Sequence, residues 1–574
     1  MRIVTFKRLI KFILAVVLPV LGVQAQTPDW KHVDLITQIN GTQSSVTATT
    51  TDATGNVFLT GFFTGAIDLG TTRLTSLGYQ DIFVAKWNPL TRRFLWAQRA
   101  GGTDTDIAHS ITVSGPSVYI AGGYYSKDAA FGPVQLPKFG PAFDEDAFVA
   151  KLTDSGTAGT FVWAYAAGGP QRETAYAVAA SGPQIYVAGS FISATAEFGG
   201  ISLPNTASNS SDAFVALLVD HGPNAAFAWA RRAGSPGYDQ ANALAVGDAG
   251  VYVAGSFAGP SADFGSLSLR NAGRSDAFVA KLTDAGAVVW AQGAGGTDDD
   301  AAFAVQSTRG TVYVAGNFSG PAATFGSTAL ASSGAEDLFV AKVADEGATG
   351  RFAWAQAAGG LLYERAAALV VRGTSVYVAG DFGSSIAVFG PAAVLNASAA
   401  PYPPTDVFVA KLEDTGPSGR FLWAQSAGGA AVDEASSLGV SGSLVYVGGK
   451  LMPPASFGGL VVPSSAAPFG AGFLAALEDA RPLATTLPRA FPSLHVFPNP
   501  SHGLVTAAVG DLPAGVPLAF SLWDATGREV QTLRVTPTTS FLTQPLRVAH
   551  LPAGLYLLKL QTGGTSVTQR LVVE

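Results

Sequence analysis

The chain has 574 residues, of which only 13% are charged, and it contains 67 glycines, 33 prolines and no cysteine. This length is sufficient for a large buried core, and the formal net charge of −7 argues against nucleic acid or an anionic membrane surface as a partner. Without cysteine, the chain has neither disulfide bonds nor a lipid anchor attached to cysteine.

Residues 1–25 have the pattern of a secretory signal peptide. A positively charged start is followed by an apolar stretch, Phe12 to Gly22, and by a small-residue cleavage site. We expect cleavage between Ala25 and Gln26. No later segment has about 18 or more uninterrupted apolar residues, so the mature chain is not expected to span a membrane.

The central part of the chain repeats one pattern. Trp-Ala pairs recur every 61–69 residues, an acid follows each of these tryptophans after ten residues, and an apolar run such as Val-Tyr-Val-Ala-Gly follows each acid after twelve. Another element, Asp-x-Phe-Val-Ala-Lys, comes after a Phe-Gly or Leu-Gly landmark. Repetition at this length is typical of stacked structural units. The repeated acids are Asp106, Glu173, Asp239, Asp300, Glu364 and Asp433.

Each repeated element is predicted to be a β-strand. β-Branched and aromatic residues dominate these short runs, which are bounded by Gly, Pro, Asp and Ser. Several runs are apolar at consecutive positions, which is expected for sheets covered on both faces. One unit therefore has four strands: the segment after the acid, the Val-Tyr-Val strand, the Phe-Val-Ala-Lys strand and the Trp strand. Four-stranded antiparallel sheets with two apolar faces stack around an axis in a β-propeller.

The sequence predicts seven blades closed by the N-terminal segment. There are seven Val-aromatic-Val type runs, the first beginning at Val57, but only six Trp-Ala strands lie within the repeats. No such strand follows Phe473–Leu477, whereas Trp30 precedes the first run. We therefore expect the Trp30 segment to complete the seventh sheet and leave no open edge. A β-helix is the alternative architecture, although its coils are usually shorter.

The motifs Phe-Val-Ala-Lys, Trp-Ala, Ala-Gly-Gly, acid and Val-Tyr-Val-Ala-Gly, in this order, resemble the bacterial seven-bladed β-propeller repeat family over residues 30–478. The resemblance implies the fold and a secreted or cell-surface setting. It implies no single activity. With the predicted cleavage, the propeller domain would span residues 26–478.

The remainder of the chain is predicted to be a linker and a small domain. Residues 479–493 contain three prolines and no periodicity, as expected for a linker. Residues 494–574 contain about seven short alternating runs separated by turns, which predicts an Ig-like β-sandwich. The fold class expected for the whole chain is therefore all-β.

Four motifs of this domain together resemble the C-terminal sorting domain, type A, of the type IX secretion system of Bacteroidetes. They are Pro498-Asn499-Pro500 with Gly503, the turn from Asp524 to Arg528, the segment Leu551–Tyr556 with Gly554, and the ending Arg570–Val573. The resemblance implies transit through the periplasm, export by the type IX machinery, removal of the tail, and surface attachment or release. We expect the cut within residues 479–493, because exposed linkers are preferred sites of proteolysis.

The six repeated acids have two interpretations. They could form a metal-binding or catalytic set, or they could accept hydrogen bonds from backbone N–H groups at the turns between sheets. One acid in each repeat favours the structural interpretation, because catalysis normally uses one asymmetric site. The Asp and Lys of Asp-x-Phe-Val-Ala-Lys are likewise interpreted as a turn residue and an exposed charge.

No catalytic residue or cofactor is predicted. Asp104 with Asp106, and Asp298 to Asp300, are acidic clusters that could hold Ca²⁺, but they lack the full pattern of a calcium loop. The six histidines are scattered and none has metal-ligand spacing. No serine-nucleophile or phosphate-binding motif is present.

We expect a secreted or surface-attached propeller that acts as a non-catalytic binding or scaffold module for a glycan or a protein. The variable loops Pro133–Asp144 and Leu395–Thr405 carry Phe139, Phe143 and Tyr402, which suit such contacts or simply cover blade edges. The alternative is a surface hydrolase or lyase that acts on polysaccharide. Carboxylates contributed to the channel mouth by only one or two blades would favour the enzyme.

Overall fold

The computed structural model describes residues 28–39, 41–141, 143–398, 400, 402–464, 470–479, 494–497, 501–509, 517–524, 528–537, 542–562 and 565–574. The chain divides into two compact units, Met1–Ala480 and Arg481–Glu574. The described residues of both units form β-strands and no α-helix, and none of them forms a helix able to cross a membrane. The predicted signal peptide, its cleavage site at Ala25 and Gln26, and residues 480–493 of the predicted linker lie outside these ranges.

The first unit begins with two strands and continues with segments of similar strand order. The first two strands are β1 (Asp29–Leu35) and β2 (Thr37–Ile39). Segment 1 contains β3 (Ser44–Thr51), β4 (Val57–Phe63), β5 (Ala66–Leu69), β6 (Thr72–Thr75), β7 (Asp81–Asn88) and β8 (Arg93–Gly101). Segment 2 contains β9 (Asp106–Ser114), β10 (Ser117–Tyr124), β11 (Ala130–Phe131), β12 (Val134–Gln135), β13 (Asp146–Asp154) and β14 (Gly159–Ala167).

The next three segments have the same order of long and short strands. Segment 3 contains β15 (Glu173–Ser181), β16 (Gln184–Phe191), β17 (Thr195–Phe198), β18 (Ile201–Pro204), β19 (Asp212–Asp220) and β20 (Ala225–Ala233). Segment 4 contains β21 (Gln240–Gly247), β22 (Gly250–Phe257), β23 (Ser261–Phe264), β24 (Leu267–Arg270), β25 (Asp276–Leu282) and β26 (Val288–Ala294). Segment 5 contains β27 (Ala301–Thr308), β28 (Thr311–Phe318), β29 (Ala323–Phe325), β30 (Thr328–Leu330), β31 (Asp337–Asp345) and β32 (Gly350–Ala358).

The last two segments differ at their ends. Segment 6 contains β33 (Glu364–Arg372), β34 (Ser375–Phe382), β35 (Ile386–Phe389), β36 (Ala392–Leu395), β37 (Asp406–Asp414) and β38 (Gly419–Gly429). The described residues of segment 7 form β39 (Glu434–Ser441), β40 (Leu444–Leu451), β41 (Ala455–Phe457), β42 (Leu460–Val462) and β43 (Ala471–Glu478). They include no fourth long strand.

The long strands of each segment form one antiparallel sheet, and we number these sheets 1 to 7 in chain order. Sheet 7 has the order β1-β43-β40-β39, so the N-terminal strand supplies its fourth member. Trp30 lies opposite Leu477, and Leu35 lies opposite Phe473. This is the strand pairing predicted from the sequence.

Neighbouring sheets pack against each other through their apolar faces. Each of seven hydrophobic clusters of the first unit is built from two sheets that follow each other, and one of them joins sheet 7 to sheet 1 through Tyr446, Leu474 and Val57. The first strands of successive sheets are in contact, and the series returns to its start: β3 with β9, β9 with β15, β15 with β21, β21 with β27, β27 with β33, β33 with β39, and β39 with β3. Coverage on both faces explains why the central strands are apolar at consecutive positions.

A short hairpin lies between the second and third long strands of each segment. It was not predicted, because this part of the repeat was interpreted as a glycine-containing loop. In segments 2 and 7 the hairpin extends the outer strand of the preceding sheet, where β11 pairs with β8 and β41 with β38. The landmark glycine occupies the hairpin turn. Gly132, for example, has a φ of 60°, a conformation that glycine adopts without steric cost.

The described part of the second unit contains seven strands in two sheets. The strands are β44 (Leu494–Phe497), β45 (Leu504–Val509), β46 (Leu518–Asp524), β47 (Glu529–Val535), β48 (Leu542–Arg547), β49 (Gly554–Thr562) and β50 (Thr565–Val573). One sheet has the order β44-β45-β48 and the other β47-β46-β49-β50. Both contribute to one buried cluster that includes Val505, Phe520 and Leu558.

The sorting-domain motif residues are only partly described. Pro498, Asn499 and Pro500 lie outside the described residues. The carbonyl of Gly503 accepts a 2.7 Å hydrogen bond from the backbone N–H of Val548. Gly554 begins β49, and the hydroxyl of Tyr556 donates to the carbonyl of Pro552 at 2.8 Å. The first bond joins two segments that are separated along the chain, and the second closes the turn that leads into β49.

Candidate functional site

The six repeated acids are buried and hydrogen-bonded to the backbone. Asp106 accepts bonds from the N–H of Gly102 at 2.7 Å and from the N–H of Ser126 at 3.2 Å. The other five occupy the same position. Four of them have one backbone donor four residues earlier and a second 19 or 20 residues later. Asp433 accepts a 2.8 Å bond from the N–H of Met452, 19 residues later. Each carboxylate thus ties the start of a first strand to the end of the second strand.

The aspartate that opens each Asp-x-Phe-Val-Ala-Lys motif is also buried, and it lies close to a repeated acid. At Gly295, an added Cβ atom would come within 2.6 Å of both Asp276 Oδ1 and Asp300 Oδ2, so no larger residue fits there. Burial raises the pKa of Asp276 to about 6. Burial also raises the pKa of Asp300 to about 7, with a further contribution from the charge of Asp276.

The lysine of the same motif is buried, so its predicted exposure is wrong. Lys151, only 6% exposed, donates to Asp220 Oδ2 of the next sheet at 2.6 Å. The same carboxylate accepts bonds from the hydroxyl of Tyr119 at 2.7 Å and from the indole of Trp163 at 3.2 Å. Burial alone would raise the pKa of Asp220, but the bonds from Lys151 and Tyr119 hold it below its ordinary value. We call such a group a lysine cluster.

Four further junctions have a lysine cluster, although Phe58 replaces the tyrosine at the first. The Lys–Asp pairs are Lys86–Asp154, Lys281–Asp345, Lys342–Asp414 and Lys411–Asp479, with distances of 2.6 to 2.7 Å. The sequence analysis missed them because each partner lies in the following segment, 64 to 72 residues along the chain.

The junction of sheets 7 and 1 has no lysine cluster, and we call it the closing junction. Ala476 occupies the lysine position and Pro89 the aspartate position. Tyr446 instead packs edge-on against Trp87 with ring centroids 5.9 Å apart. Arg92 in the turn after β7 reaches Asp34 in β1 at 2.7 Å. The polar links of this junction are therefore placed differently from those of the others.

A cavity of about 640 Å³ lies between the first strands of sheets 3 to 7. Two aromatic side chains, Tyr176 and Phe303, line it together with the amides of Gln240 and Asn242. Aromatic surface combined with a few polar groups of fixed geometry is typical of small-molecule sites. The cavity is therefore the candidate binding site of this unit.

Charged side chains gather on one side of the cavity. The Nε of Arg365 lies 3.4 Å from Glu336 Oε2, and the amide of Asn317 donates to Glu336 Oε1 at 3.2 Å. Asp381 lies opposite Arg365 across β33 and β34 but receives no hydrogen bond from any described residue. Burial, together with the charge of Glu434, raises the pKa of Asp381 to about 7.

The charged side of the cavity is built from positions at which the repeats differ. The position of Asp381, just before the phenylalanine that ends the second strand, holds Ser190, Ser256 and Asn317 in segments 3, 4 and 5. Comparing aligned repeats for differences would have revealed this position. Asp381 and Glu434 were not predicted, because they do not belong to the motifs that the repeats share.

Exposed aromatic loops lie at the same end of the sheets as the charged side of the cavity. Phe143 and Tyr402, in the loops before β13 and β37, are 79% and 82% exposed. The loop before β31 contains Glu336, which lines the cavity and forms a bridge with Tyr363. Of the loops before the third strands, the one before β31 thus contributes to the cavity lining, and Phe143 and Tyr402 in two others are exposed as predicted.

The described residues contain no group of three or more His, Asp or Glu side chains placed to hold a metal ion. Of the residues predicted as calcium clusters, Asp106 and Asp300 are buried and bonded to backbone N–H groups. Asp104 and Asp299 are exposed, and Asp299 lies 3.6 Å from Arg274. Calcium binding at these clusters stays a prediction.

The family model of the secretion system C-terminal sorting domain matches residues 495–574. The chain therefore carries a sorting domain of the type IX secretion system, and it is exported to the cell surface or secreted. This confirms the localisation expected from the sequence. No curated protein matches the chain.

Two solved structures show weak similarity. A protein of unknown function from Dyadobacter fermentans DSM 18053 aligns with a TM-score of 0.34 and 10% identity, covering 79% of this chain and 99% of that chain. Dimeric latent PorU from Porphyromonas gingivalis aligns with a TM-score of 0.14 and 8% identity, covering 58% of this chain and 32% of that chain. These TM-scores are too low to define a shared fold.

Proposed function

We propose that the first unit is a seven-bladed β-propeller that binds a glycan, without catalysis, in the cavity between the first strands of sheets 3 to 7. The proposal is supported by the cyclic contacts of the first strands and by the completion of sheet 7 through β1. Both are expected when sheets pack around one axis and leave no free edge. The second unit, with its two sheets around one core, is proposed to be an Ig-like sandwich.

The observation that carries the binding proposal is the composition of the cavity lining. Tyr176 and Phe303 offer apolar ring faces, while Gln240 and Asn242 offer both hydrogen-bond donors and acceptors. Sugar rings present apolar C–H faces and hydroxyl groups at their edges, so both kinds of surface have a counterpart in the ligand. A protein ligand is the second possibility from the sequence analysis, and it would use the exposed loop aromatics.

The proposal is tested by glycan-array binding with the full mature chain, followed by calorimetry with the best glycan. Phe303→Ala is expected to weaken binding about fivefold or more, because stacking of a sugar ring on one aromatic side chain contributes about 1 kcal/mol or more. Phe143→Ala is the matched control, since Phe143 is an exposed aromatic that does not line the cavity. Equal affinities of the Phe303 variant and the wild type would contradict the proposal.

A hydrolase or lyase acting on polysaccharide is the second candidate, and one observation favours it. Asp381 and Glu434 belong to sheets 6 and 7, so the carboxylates are placed asymmetrically. A carboxyl that keeps its proton near neutral pH, beside a second carboxylate, suits general acid–base cleavage of a glycosidic bond. Release of reducing ends from a bound polysaccharide, abolished by Asp381→Asn, would replace the non-catalytic proposal.

We propose that the repeated acids serve the architecture and no chemistry. This is supported by the backbone donors that each carboxylate binds, two of them at Asp106 and at Asp300, which leave little room for a substrate. No cofactor enters the proposal. Thermal melting with added Ca²⁺ tests this point, because a ligand that binds only the folded state raises the melting temperature. A rise in melting temperature with added Ca²⁺ would instead support metal binding at the acidic clusters.

We also propose that the sorting domain is removed by cleavage within residues 479–493 after export. Mass spectrometry of the secreted or surface-released protein measures the new C-terminus. A terminus in this range is the expected result, whereas a mature protein that still ends at Glu574 would contradict it. Deletion of residues 494–574 is expected to leave the protein in the periplasm.

A further inference from the structure

We propose that the cavity selects a saccharide with a free primary amine over neutral and acidic saccharides. This inference rests on the proposed glycan-binding function and names the class of ligand. The lining contains three carboxyl groups, from Glu336, Asp381 and Glu434, but only one guanidinium, from Arg365. An ammonium group on the ligand would pair with these acids and favour the ionised form of Asp381.

The single cation of the lining is already engaged. Arg365 lies 3.4 Å from Glu336, which leaves Asp381 and Glu434 without an ion-pair partner among the described residues. Lys450 is opposite Glu434 in the register of β39 and β40, but the two side chains form no ion pair within 4.0 Å. Two carboxylates therefore remain available to a ligand cation.

The surroundings of Asp381 add to this argument. Its side chain is partly buried on a cavity wall and receives no hydrogen bond from a described residue. Burying a carboxyl group without a partner is unfavourable. The charged groups that act on Asp381 are Glu434, Arg365, Glu336 and Glu364, of which three are acids. A ligand ammonium beside Asp381 would supply the missing partner and favour ionisation of the carboxyl.

Specificity follows from the same charges. The carboxylate of a uronic acid would face a surplus of negative charge, and a neutral hydroxyl would gain only an ordinary hydrogen bond. A charge-assisted bond from an ammonium is stronger than a neutral one. The site is local to sheets 6 and 7, because segments 3, 4 and 5 carry serine or asparagine where segment 6 carries Asp381.

Calorimetry with the full mature chain tests the inference with two probes, glucosamine tetrasaccharide and N-acetylglucosamine tetrasaccharide. At about pH 6 an amine of this kind is still protonated. The free-amine probe is expected to bind at least about tenfold more tightly, as a charge-assisted bond allows. Asp381→Asn is expected to remove most of this preference by weakening the binding of the free-amine probe.

Two controls separate charge selection from folding. Asparagine occurs at the same position in segment 5 as Asn317, so the variant introduces a side chain that this strand position already accepts. Asp263→Asn removes an exposed carboxylate of the hairpin β23–β24, outside the cavity, and is expected to change neither affinity. A preference lost in both variants would reflect net charge alone and would contradict the inference.

The outcomes distinguish this inference from the function on which it rests. Equal or tighter binding of the N-acetyl probe would overturn the amine selection and leave glycan binding in place. Binding of neither probe, nor of any arrayed glycan, would overturn the proposed function and the inference with it. Tighter binding of a short lysine peptide, lost in Asp381→Asn, would mean that the cation belongs to a peptide and would overturn the saccharide assignment.

Discussion

At the junction of sheets 6 and 7, the ammonium of Lys411 donates to the carboxylate of Asp479 at 2.6 Å. At the closing junction the equivalent positions hold Ala476 and Pro89. His32 occupies the tryptophan position there, opposite Ala476, and its ring centroid lies 5.5 Å from that of Trp87. Sheets of similar sequence are thus joined in two ways.

The difference shows that the buried lysine is absent where its aspartate is absent. A buried ammonium without a counter-ion costs several kcal/mol, so a junction without the aspartate has no use for the lysine. The junction of sheets 3 and 4 is intermediate, because Leu217 replaces the lysine while Asp284 remains and accepts a 3.3 Å bond from Tyr186. The closing junction relies mainly on apolar packing and on the exposed pair Arg92–Asp34, and such exposed pairs contribute only about 0–1 kcal/mol.

Among the changes that test the two kinds of junction, removal of β1 is expected to have the largest effect on stability. Deleting residues 26–36 would expose the hydrogen-bonding edge of β43 and remove Trp30, which packs 5.1 Å from Phe457. We expect a loss of more than about 5 kcal/mol in the free energy of unfolding, since removal of one buried tryptophan side chain already costs about 3–5 kcal/mol. Denaturant unfolding measures the loss, and size-exclusion chromatography should show association through the open edge.

A peptide of residues 26–36 added in trans is the control for this deletion, and it should restore part of the stability. A peptide of the same composition in reversed order should not. If the truncated chain were as stable and as monomeric as the full chain, β1 would not be the strand that closes the unit.

Removal of one lysine is expected to have the next largest effect. Lys411→Met would leave Asp479 buried without its ammonium partner, at a cost of about 3–5 kcal/mol. The double variant Lys411→Met/Asp479→Asn should recover most of this loss, because it removes both charges. Urea unfolding of the single and double variants measures the coupling. Additive losses would contradict a paired role.

The matched change at the closing junction adds a lysine instead of removing one. Ala476→Lys would place an ammonium where Pro89 offers no carboxylate, so a similar loss is expected there. The added change Pro89→Asp is expected to restore part of it. No loss for Ala476→Lys would mean that water reaches this position, although Ala476 is fully buried.

The lysine clusters and the repeated acids are expected to contribute to stability in opposite pH ranges. Burial raises the pKa of Asp106 to about 6 and that of Asp300 to about 7, both from 3.8. The folded state thus favours their protonated forms, so their contribution is complete below pH 3.8 and is lost as the pH rises through 6 to 7. The pKa of Asp220 is lowered by its partners, so its contribution is present above pH 3.8 and lost as the pH falls.

We therefore expect maximal stability in mildly acidic solution and a decline in the free energy of unfolding towards about pH 8. Denaturant unfolding at several pH values measures the decline. Asp300→Asn should make it shallower, whereas Asp299→Asn, which changes an exposed neighbour, should leave it unchanged. A rise in stability from about pH 5 to pH 8 would show that the buried acids are ionised at little cost.

The smallest expected effect concerns the indole hydrogen bond itself. Trp423→Phe removes a 3.3 Å bond to Asp479, whereas Trp30→Phe removes an indole without an acceptor among the described residues. Both variants lose similar apolar surface, so the difference between them should be about 1 kcal/mol in favour of Trp30→Phe. Thermal melting resolves a difference of this size. Identical losses would assign the effect to packing alone.

The strands and their order were largely predictable from the sequence, because landmarks with constant spacing mark each long strand. The pairing of Trp30 with Leu477 followed from counting tryptophan strands against apolar runs. The hairpins were missed because their strands have only two to four residues and a weak pattern. The burial of Lys151 was not predicted because its partner Asp220 lies 69 residues later in the chain. The contact becomes visible only when neighbouring sheets are packed against each other.

The cavity was not predictable from the repeated pattern. Asp381 and Glu434 stand at positions where the segments differ, and a search for shared motifs passes over them. The spacing of the motifs also gives no information on which first strands leave space between them. The exposed loop residues Phe143 and Tyr402 could be predicted, because insertions place apolar residues where no sheet covers them.

The contact between β1 and β43 joins residues more than 430 positions apart, since Trp30 meets Leu477. Contacts of such separation in sequence form late, because a long stretch of chain must be ordered first. Sheet 7 can be completed only after Leu477 has been synthesised and has reached the same compartment as Trp30. We therefore expect β1, which comes first along the chain, to be among the last strands to pair.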